Sequence, residues 1–299
     1  MLNSLEAILS AAVAKGGSKV LAVAKAEDRE VLSAIKDARE LGLATAILVG
    51  EQPQIESIAL EVGLDLEGIE VIHATEARQV ARTAVELVSS GRAQILMKGL
   101  VSTGEIMRAV LDKQIGLRSG RVISHVALLE PPGYGRLLLM TDGGMVIAPD
   151  LQQKAQMIEN AVMVARKLGN ECPKVAVIAA FEQVNPDMPA TTEAALLAKM
   201  ADRGQIKHCL VDGPIALDGA VSKEAAEHKG MVSPVAGEAD ILLMPMIEAG
   251  NVMYKTIVYL SGGQVAGVIA GAAAPIVLTS RADTHQAKLY SIATAVLMC

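Results

Sequence analysis

Short apolar runs alternate with amphipathic stretches from the start of the chain. The apolar runs are rich in Val, Ile, Leu and Ala, which predicts buried strands. They cover residues 19–24, 44–50, 69–74 and 93–99. Between them, apolar residues recur every three or four positions, which predicts helices. These helices cover residues 28–41, 53–63 and 76–90. Because parallel strands need a crossover connection, this order predicts a parallel, doubly wound α/β sheet.

The pattern changes after residue 120. Two apolar runs, 121–130 and 136–142, flank the sequence PPGYG and predict an antiparallel hairpin. Further strands are predicted at 175–180, 206–212, 239–245, 264–271 and 275–279. Further helices are predicted at 150–168, 191–202, 250–260 and 283–297. The change of pattern predicts a domain boundary near residue 142.

One uncharged segment, residues 256–280, is long enough to span a bilayer. Ser261, Gly262, Gly263 and Gln264 interrupt it, and Pro275 interrupts it again. A helix end followed by two buried strands explains this segment better than a membrane span does.

Composition and charge narrow the classes of function. Hydrophobic residues make up 52% of the 299 positions and charged residues 20%, so a large core is expected. Aromatic residues make up only 2%, which disfavours the stacking platforms of single-stranded nucleic-acid binding. The net charge of −6 disfavours nucleic acid and anionic membranes as partners. An anionic ligand therefore requires locally concentrated positive charge.

The cysteines and acidic residues indicate no metal site. Cys172, Cys209 and Cys299 are too far apart for a CxxC motif, and the chain shows no secretory signal, so reduced thiols in a cytoplasmic protein are expected. Asp212 and Asp218 lie six positions apart without a third ligand nearby, and a loop with local turns explains them better.

Two segments place polar residues after a predicted strand. The first begins with Lys98 and Gly99, and continues with Ser102 and Thr103 into a predicted helix that contains Arg108. Helix N-termini at the carboxyl ends of strands bind anions. The same segment is equally explained as an ordinary strand-to-helix turn with a surface arginine.

The second segment follows the last predicted strand. Ser280 and Arg281 come directly after it, and Asp283 is predicted to cap the final helix. A hydroxyl and a guanidinium at the carboxyl end of a strand suit a phosphoryl or thiol ligand.

A third group opens the helix after strand 239–245. It contains Asn251, Tyr254 and Lys255. By themselves, these residues are explained as a cap, a packing residue and a solvated charge.

Five motifs, taken together in this order, are specific. KGxVST begins at 98, DGP at 212, SPVAGEAD at 233, EAGNxxYK at 248 and SR at 280. Over almost the whole chain they resemble the phosphate acetyltransferase and butyryltransferase family. The segments MKGLVST and TSRAD…KLYSIA are similar to the butyryl branch.

The resemblance implies a two-domain α/β fold similar to isopropylmalate dehydrogenase, with mostly parallel sheets and an active-site cleft between the domains. It also implies that the C-terminal helix packs back on the first domain. With the boundary that the change of pattern predicts, the first domain comprises residues 1–142 completed by 279–299, and the second comprises 143–278. The implied reaction is reversible transfer of a short acyl group, butyryl or branched, between coenzyme A (CoA) and inorganic phosphate. CoA is then a substrate. No metal and no tightly bound cofactor are implied, and a homodimer or larger homo-oligomer is expected.

The resemblance also implies catalytic residues. Ser280 matches the serine that contacts the thiol, and Arg281 matches the adjacent arginine. Arg108 and Arg121 match two further arginines that bind acyl phosphate or CoA phosphates. The implied substrate-binding and CoA-binding residues are Lys98, Gly99, Ser102, Thr103, Asn251, Tyr254 and Lys255.

The general base stays open. The acetyl branch has an aspartate seven residues after the serine, and Ala287 occupies that position here. Asp283 could serve instead, or the reaction needs no protein base, because a thiol ionises readily.

Other functions also stay open. One alternative is a phosphate acetyltransferase. Another is a non-catalytic CoA-sensing module, since related domains are fused to malic enzymes, and the intact pair Ser280 and Arg281 counts against it. A decarboxylating dehydrogenase of the same fold class needs clustered metal-binding aspartates and a nucleotide-binding loop. GGQVAG at 262–267 only loosely resembles such a loop.

The sequence predicts that chelators leave acyl transfer unchanged, because no group of His, Cys, Asp or Glu has metal-ligand spacing. Initial rates with and without EDTA measure this. Loss of activity in EDTA that one divalent ion restores contradicts the prediction and favours the dehydrogenase alternative.

Overall fold

A computed structural model describes residues 2–17 and 19–299. The strands in this part of the chain are β1 (Lys19–Ala24), β2 (Ala44–Gly50), β3 (Glu70–His73), β4 (Ile95–Lys98), β5 (Ser124–Glu130), β6 (Leu138–Thr141), β7 (Lys174–Ile178), β8 (Leu210–Ile215), β9 (Ile241–Leu243), β10 (Gln264–Ala270) and β11 (Ile276–Val277). The helices are α1 (Leu5–Lys15), α2 (Arg29–Glu40), α3 (Gln52–Val62), α4 (Ala77–Ser89), α5 (Thr103–Val110), α6 (Leu151–Lys167), α7 (Pro189–Asp202), α8 (Leu217–Val221), α9 (Lys223–His228), α10 (Ile247–Lys255) and α11 (His285–Met298). One π-helical turn, Thr256–Leu260, continues α10.

Contacts divide the chain into two compact units. The first, called here the N–C unit, comprises Glu6–Arg121 and Ala266–Cys299. The second, called the middle unit, comprises Val122–Val265 and the residues up to Leu5. One division therefore precedes the hairpin β5–β6, and another falls within β10, whereas the change of sequence pattern placed a boundary near residue 142. The domain limits 1–142, 279–299 and 143–278 stay a prediction.

The N–C unit contains the doubly wound sheet. Its strand order is β3-β2-β1-β4-β11-β10. β1 pairs in parallel with β2 and β4, and β11 pairs in parallel with β4. β10 runs antiparallel to β11. The predicted parallel α/β arrangement is confirmed, because α2, α3 and α4 provide the crossovers between successive parallel strands.

The middle unit combines a hairpin with a parallel sheet. β5 and β6 pair antiparallel, as predicted, and the order continues β6-β9-β7-β8 with parallel pairing. Strand β8 lies later than the predicted 206–212. The segment around Asp212 and Asp218, predicted as a loop, instead contains the end of β8 and the short helix α8. The Ser222 hydroxyl caps the following helix, α9, by accepting from Ala225 N.

The uncharged segment 256–280 does not form a continuous helix. It contains the π-helical turn and the buried strands β10 and β11, as the interruptions predicted. Among residues 2–17 and 19–299, no helix is both long enough and apolar enough to cross a bilayer.

A close backbone approach joins β1 and β4 at their carboxyl ends. Gly99 N donates to Ala24 O at 2.8 Å. A Cβ added to Gly99 would lie 2.0 Å from the Lys25 carbonyl oxygen. Since that atom belongs to the backbone, it cannot move aside as a flexible side chain can. Glycine at this position therefore sets the path of the loop between β4 and α5.

We expect Gly99→Ala to lower the free energy of unfolding by about 1–3 kcal/mol, because overpacking forces the backbone to shift. Gly104→Ala is the matched control, since a Cβ there meets no atom within 4 Å. In a helix, that control is expected to be neutral or slightly stabilising. Calorimetric unfolding of both variants measures the difference, and equal stability of the two contradicts the packing argument.

Candidate active site

The turn after β11 is closed by a pair of hydrogen bonds. Ser280 N donates to Asp283 Oδ2 at 2.7 Å, and Asp283 N donates to Ser280 O at 3.1 Å. Asp283 is 5% exposed. The predicted helix cap at Asp283 is wrong, because Thr284 caps α11 by accepting from Ala287 N. The Asp283 carboxylate instead shapes the turn that presents Ser280 and Arg281.

Arg281 connects this turn to the loop after β4. Its side chain is exposed, and Nη2 donates to Leu100 O at 3.2 Å. The structure therefore brings together two of the predicted segments, which are about 180 residues apart in the chain. This contact follows from the parallel pairing of β11 with β4, which places both strand ends at the same edge of the sheet.

Lys98 lies buried at this edge. Its side chain ends β4, the residue is 5% exposed, and Nζ donates to Gly99 O at 3.1 Å. Burial lowers the pKa of Lys98, and the nearby positive charges of Arg281 and Lys288 lower it further. Such a site favours an anion, because a bound negative charge relieves the mutual repulsion of these cations.

Sequence reasoning missed Lys288. It lies on α11, is 2% exposed, and donates its ammonium group to the Asp283 carbonyl. Desolvation by burial lowers the pKa of Lys288. A signal was present, since Lys288 is the one Lys, Arg, Asp or Glu residue in the sequence of this helix. A buried charge of this kind usually has a functional reason.

The loop after β4 leads into α5 as predicted. Ser102 caps the helix, and its Oγ accepts from Glu105 N at 3.2 Å. The Ser102 hydroxyl also bonds Glu105 Oε2 at 2.8 Å. Thr103 is the first helical residue. Backbone N–H groups at the start of α5 therefore lie in the same loop as Gly99 and Leu100.

Arg108 faces a different neighbourhood from Arg281. It is exposed and borders a small pocket of about 50 Å³ between α4 and α5. No hydrogen bond or ion pair in the described part of the chain joins Arg108 to the turn after β11. The pocket is lined by Arg78, Arg82, Glu105, Arg108, Ala109, Asp112 and Ile115.

Arg121 is anchored through its backbone. Its N–H donates to Ser119 Oγ at 3.2 Å, and the Ser119 hydroxyl in turn donates to Gly271 O. The residue is exposed at the end of the first segment of the N–C unit.

The remaining predicted residues form a group within the middle unit. Asn251 Nδ2 donates to Gly143 O at 3.1 Å. Tyr254 is 8% exposed, and its ring meets His125 edge-on at 6.2 Å between centroids. Lys255 Nζ lies 5.2 Å from the Tyr254 ring centroid. The predicted cap at Asn251 is wrong, because α10 begins at Ile247.

Asp142 organises the loop beneath this group. It is 1% exposed, and its carboxylate accepts from His125 N at 2.7 Å, Gly144 N at 2.6 Å and Met145 N at 2.8 Å. Sequence reasoning missed His125. The described residues contain no group of three or more His, Cys, Asp or Glu side chains that could share a metal ion.

Comparison with known proteins identifies the family. The model of the family described as "Phosphate acetyl/butaryl transferase" matches residues 4–84 and 74–296. The chain belongs to this family. The phosphate butyryltransferase of Clostridium acetobutylicum is 50% identical over 298 residues, which cover 100% of this chain and 99% of that protein.

Two further comparisons extend the likeness to acetyl and branched-chain members of the acetyl/butyryl transferase family. The phosphate acetyltransferase of Thermotoga maritima is 47% identical over 281 residues, covering 94% of this chain and 95% of that protein. The crystal structure of a branched-chain phosphotransacylase from Enterococcus faecalis superposes with a TM-score of 0.82 at 34% identity, covering 94% of this chain and 98% of that one. The predicted family and α/β fold class are thus confirmed, while the roles of single residues stay predictions.

We expect Arg281→Ala to lower kcat/KM for acyl transfer by about 10²–10³-fold, because loss of a donor at a reacting oxyanion costs about 2.7–4 kcal/mol. Stability should change little, since this side chain is exposed. Arg92→Ala is the control. Arg92 is also exposed, and it forms an ion pair with Glu70, with 2.6 Å between Nη2 and Oε2, outside the turn. Near wild-type kinetics in a folded Arg281→Ala protein removes the arginine from the mechanism.

Proposed function

We propose that this protein is a phosphotransacylase that reversibly transfers a short acyl group, butyryl or branched, between CoA and inorganic phosphate. The observation that carries the proposal is the Ser280–Arg281 turn, held against the β4 loop by the Arg281–Leu100 hydrogen bond, in a chain that belongs to the acetyl/butyryl transferase family. Lys98 lies buried beside the same turn and adds positive charge there.

The proposed reaction is a direct transfer. The CoA thiolate sulfur attacks the carbonyl carbon of the acyl phosphate, a C–S bond forms, and the C–O bond to phosphate breaks. Phosphate leaves with the electron pair, and the thioester is the other product. In this proposal Ser280 contacts the thiol, and Arg281 and Lys98 stabilise the charge of the phosphate. Most of the rate then comes from positioning and electrostatics.

The structure favours a role for Asp283 other than that of a general base. Its carboxylate accepts from Ser280 N, and the residue is buried, which favours orientation of the turn over proton transfer. A CoA thiol is already a modest nucleophile and needs only partial help to become a thiolate. We therefore propose that Asp283 positions Ser280 and that solvent or phosphate takes the proton.

Two further groups are proposed to bind CoA. The phosphates of CoA would be held by charge-assisted hydrogen bonds from Arg108 and Arg121. Arg78 and Arg82 line the same pocket as Arg108 and would add positive charge there. Ser102, Thr103 and the backbone of Gly99 would contact the acyl phosphate. From the middle unit, the proposed contacts are Asn251, Tyr254 and Lys255.

The preference for butyryl over acetyl depends on particular segments. Relatives named for either acyl group match the chain at similar identity, so family membership leaves the choice open. The segments MKGLVST and TSRAD favour the butyryl branch. With one Phe and no Trp in the chain, an acyl pocket would be lined by aliphatic side chains or Met.

We also propose a cytoplasmic homo-oligomer without a tightly bound cofactor. The substrate CoA is an intracellular metabolite, and Cys172, Cys209 and Cys299 form no disulfide in the described residues. The number of subunits is to be measured by light scattering.

We expect butyryl-CoA or a branched four- or five-carbon analogue to exceed acetyl-CoA in kcat/KM by about tenfold, because each buried methylene contributes about 0.8 kcal/mol. Phosphorolysis rates across the acyl-CoA series at fixed phosphate measure this. An acetyl-CoA optimum contradicts the butyryl assignment and leaves the phosphotransacylase reaction intact. CoA binding without turnover of any acyl-CoA favours the sensing module instead.

A further inference from the structure

Lys288 is a buried charge that the proposed reaction does not yet use. Its side chain is 2% exposed, and its ammonium group donates to the carbonyl of Asp283. Burying an ammonium group is costly unless it is hydrogen-bonded and offset by other interactions. An aliphatic residue on the core-facing side of α11 would avoid that cost entirely. The position of Lys288 therefore needs an explanation beyond packing.

The hydrogen bond of Lys288 reaches the turn that carries Ser280 and Arg281. Asp283 contributes two groups to that turn: its carboxylate accepts from Ser280 N, and its carbonyl accepts from Lys288. Loss of the ammonium donor would leave a buried carbonyl without this partner and free the turn to move. Lys288 can thus control the position of Ser280 without touching a substrate.

The charge of Lys288 acts in the same region as two other cations. Lys98 is buried nearby, and the positive charges of Lys288 and Arg281 both act on it. Lys98 and Lys288 are each held by a backbone carbonyl rather than by a carboxylate, so their charges are not cancelled at contact distance. Uncancelled charge in a partly desolvated site attracts a dianion more strongly than the same charge in water.

We propose that Lys288 is a positioning residue of the transferase site, which holds the Ser280–Asp283 turn and adds fixed positive charge where phosphate binds. This inference rests on the phosphotransacylase activity proposed above. The groups that act on Lys288 are Asp28 and Glu30 at the start of α2, Asp283 in the turn, and Lys98 at the end of β4. The three carboxylates partly offset the positive charge of Lys288 from a distance, whereas the positive charge of Lys98 repels it.

The test is phosphorolysis of butyryl-CoA by folded variants at varied phosphate. We expect Lys288→Met and Lys288→Gln to raise the KM for phosphate by at least about tenfold, and Lys288→Arg by no more than about threefold, because only arginine keeps the charge. The KM for butyryl-CoA should change much less. Lys36→Met is the control. Lys36 lies on α2, and its Nζ also donates to a backbone carbonyl, that of Val62, at 3.2 Å.

The pH dependence separates a role of charge from a structural one. Burial lowers the pKa of both Lys98 and Lys288, so each lysine loses its positive charge at a lower pH than an ordinary lysine does. As the pH rises, the affinity for phosphate should therefore begin to fall at that lower pH. In Lys288→Met, Lys98 no longer feels the charge of Lys288, so its pKa rises and the fall moves to higher pH. Measurements belong above the second pKa of phosphate, where phosphate stays dianionic.

Several outcomes would overturn the inference. The first is an unchanged KM for phosphate in folded Lys288→Met and Lys288→Gln. The second is an equal rise of this KM in Lys36→Met. The third is a pH profile of Lys288→Met that is the same as that of the wild type. If Lys288→Met does not fold, the comparison of Lys288→Arg with Lys288→Gln decides, since both can donate to the Asp283 carbonyl but only arginine is charged. Equal KM values for these two then reject the role of charge.

Failure of the proposed function gives a different result. In that case the wild-type protein turns over no acyl-CoA, and phosphate binding by titration calorimetry replaces kinetics. Weaker binding in Lys288→Gln than in the wild type supports the charged site without the reaction. Equal binding, or none in the wild type, overturns it.

Discussion

A buried ammonium group must keep hydrogen-bond partners, and this constraint shapes the site in the N–C unit. Lys98 and Lys288 are both almost fully buried, and they donate hydrogen bonds to the carbonyls of Gly99 and Asp283, respectively. Each carbonyl belongs to a loop at the carboxyl edge of the sheet. The two loops are therefore held by the charges they surround, and those charges stay available for an anion.

Close backbone packing supports the same arrangement. Gly99 lies against the Lys25 carbonyl, so the loop after β4 follows the turn after β1 closely. In the middle unit, a Cβ at Gly250 would lie 2.1 Å from the Asp142 carbonyl oxygen, and the Asp142 carboxylate binds three backbone N–H groups. Gly99 lies in a loop and Gly250 lies in α10, and in each unit the glycine lets a second backbone segment approach closely.

Local signals predicted well what depends on local chemistry. Strands β1 and β2 begin and end where the apolar runs do, and Ser102 leads into α5 as predicted and caps it. Errors arose where neighbouring residues compete for one role. Asp283 and Thr284 are both good caps, and the capping position went to threonine because the Asp283 carboxylate bonds Ser280 N.

The sequence by itself determined the α/β class, the family and the residues around Ser280 and Arg281, because periodicity and short motifs record which faces are buried and which residues adjoin. Tertiary structure alone decided that Arg281 reaches Leu100 and that Lys288 lies beneath the turn. A hydrophobic pattern states that a strand is buried but not which strand it pairs with. The pairing of β4 with β11 brings these distant segments together, and the packing of α11 then removes the Lys288 charge from water.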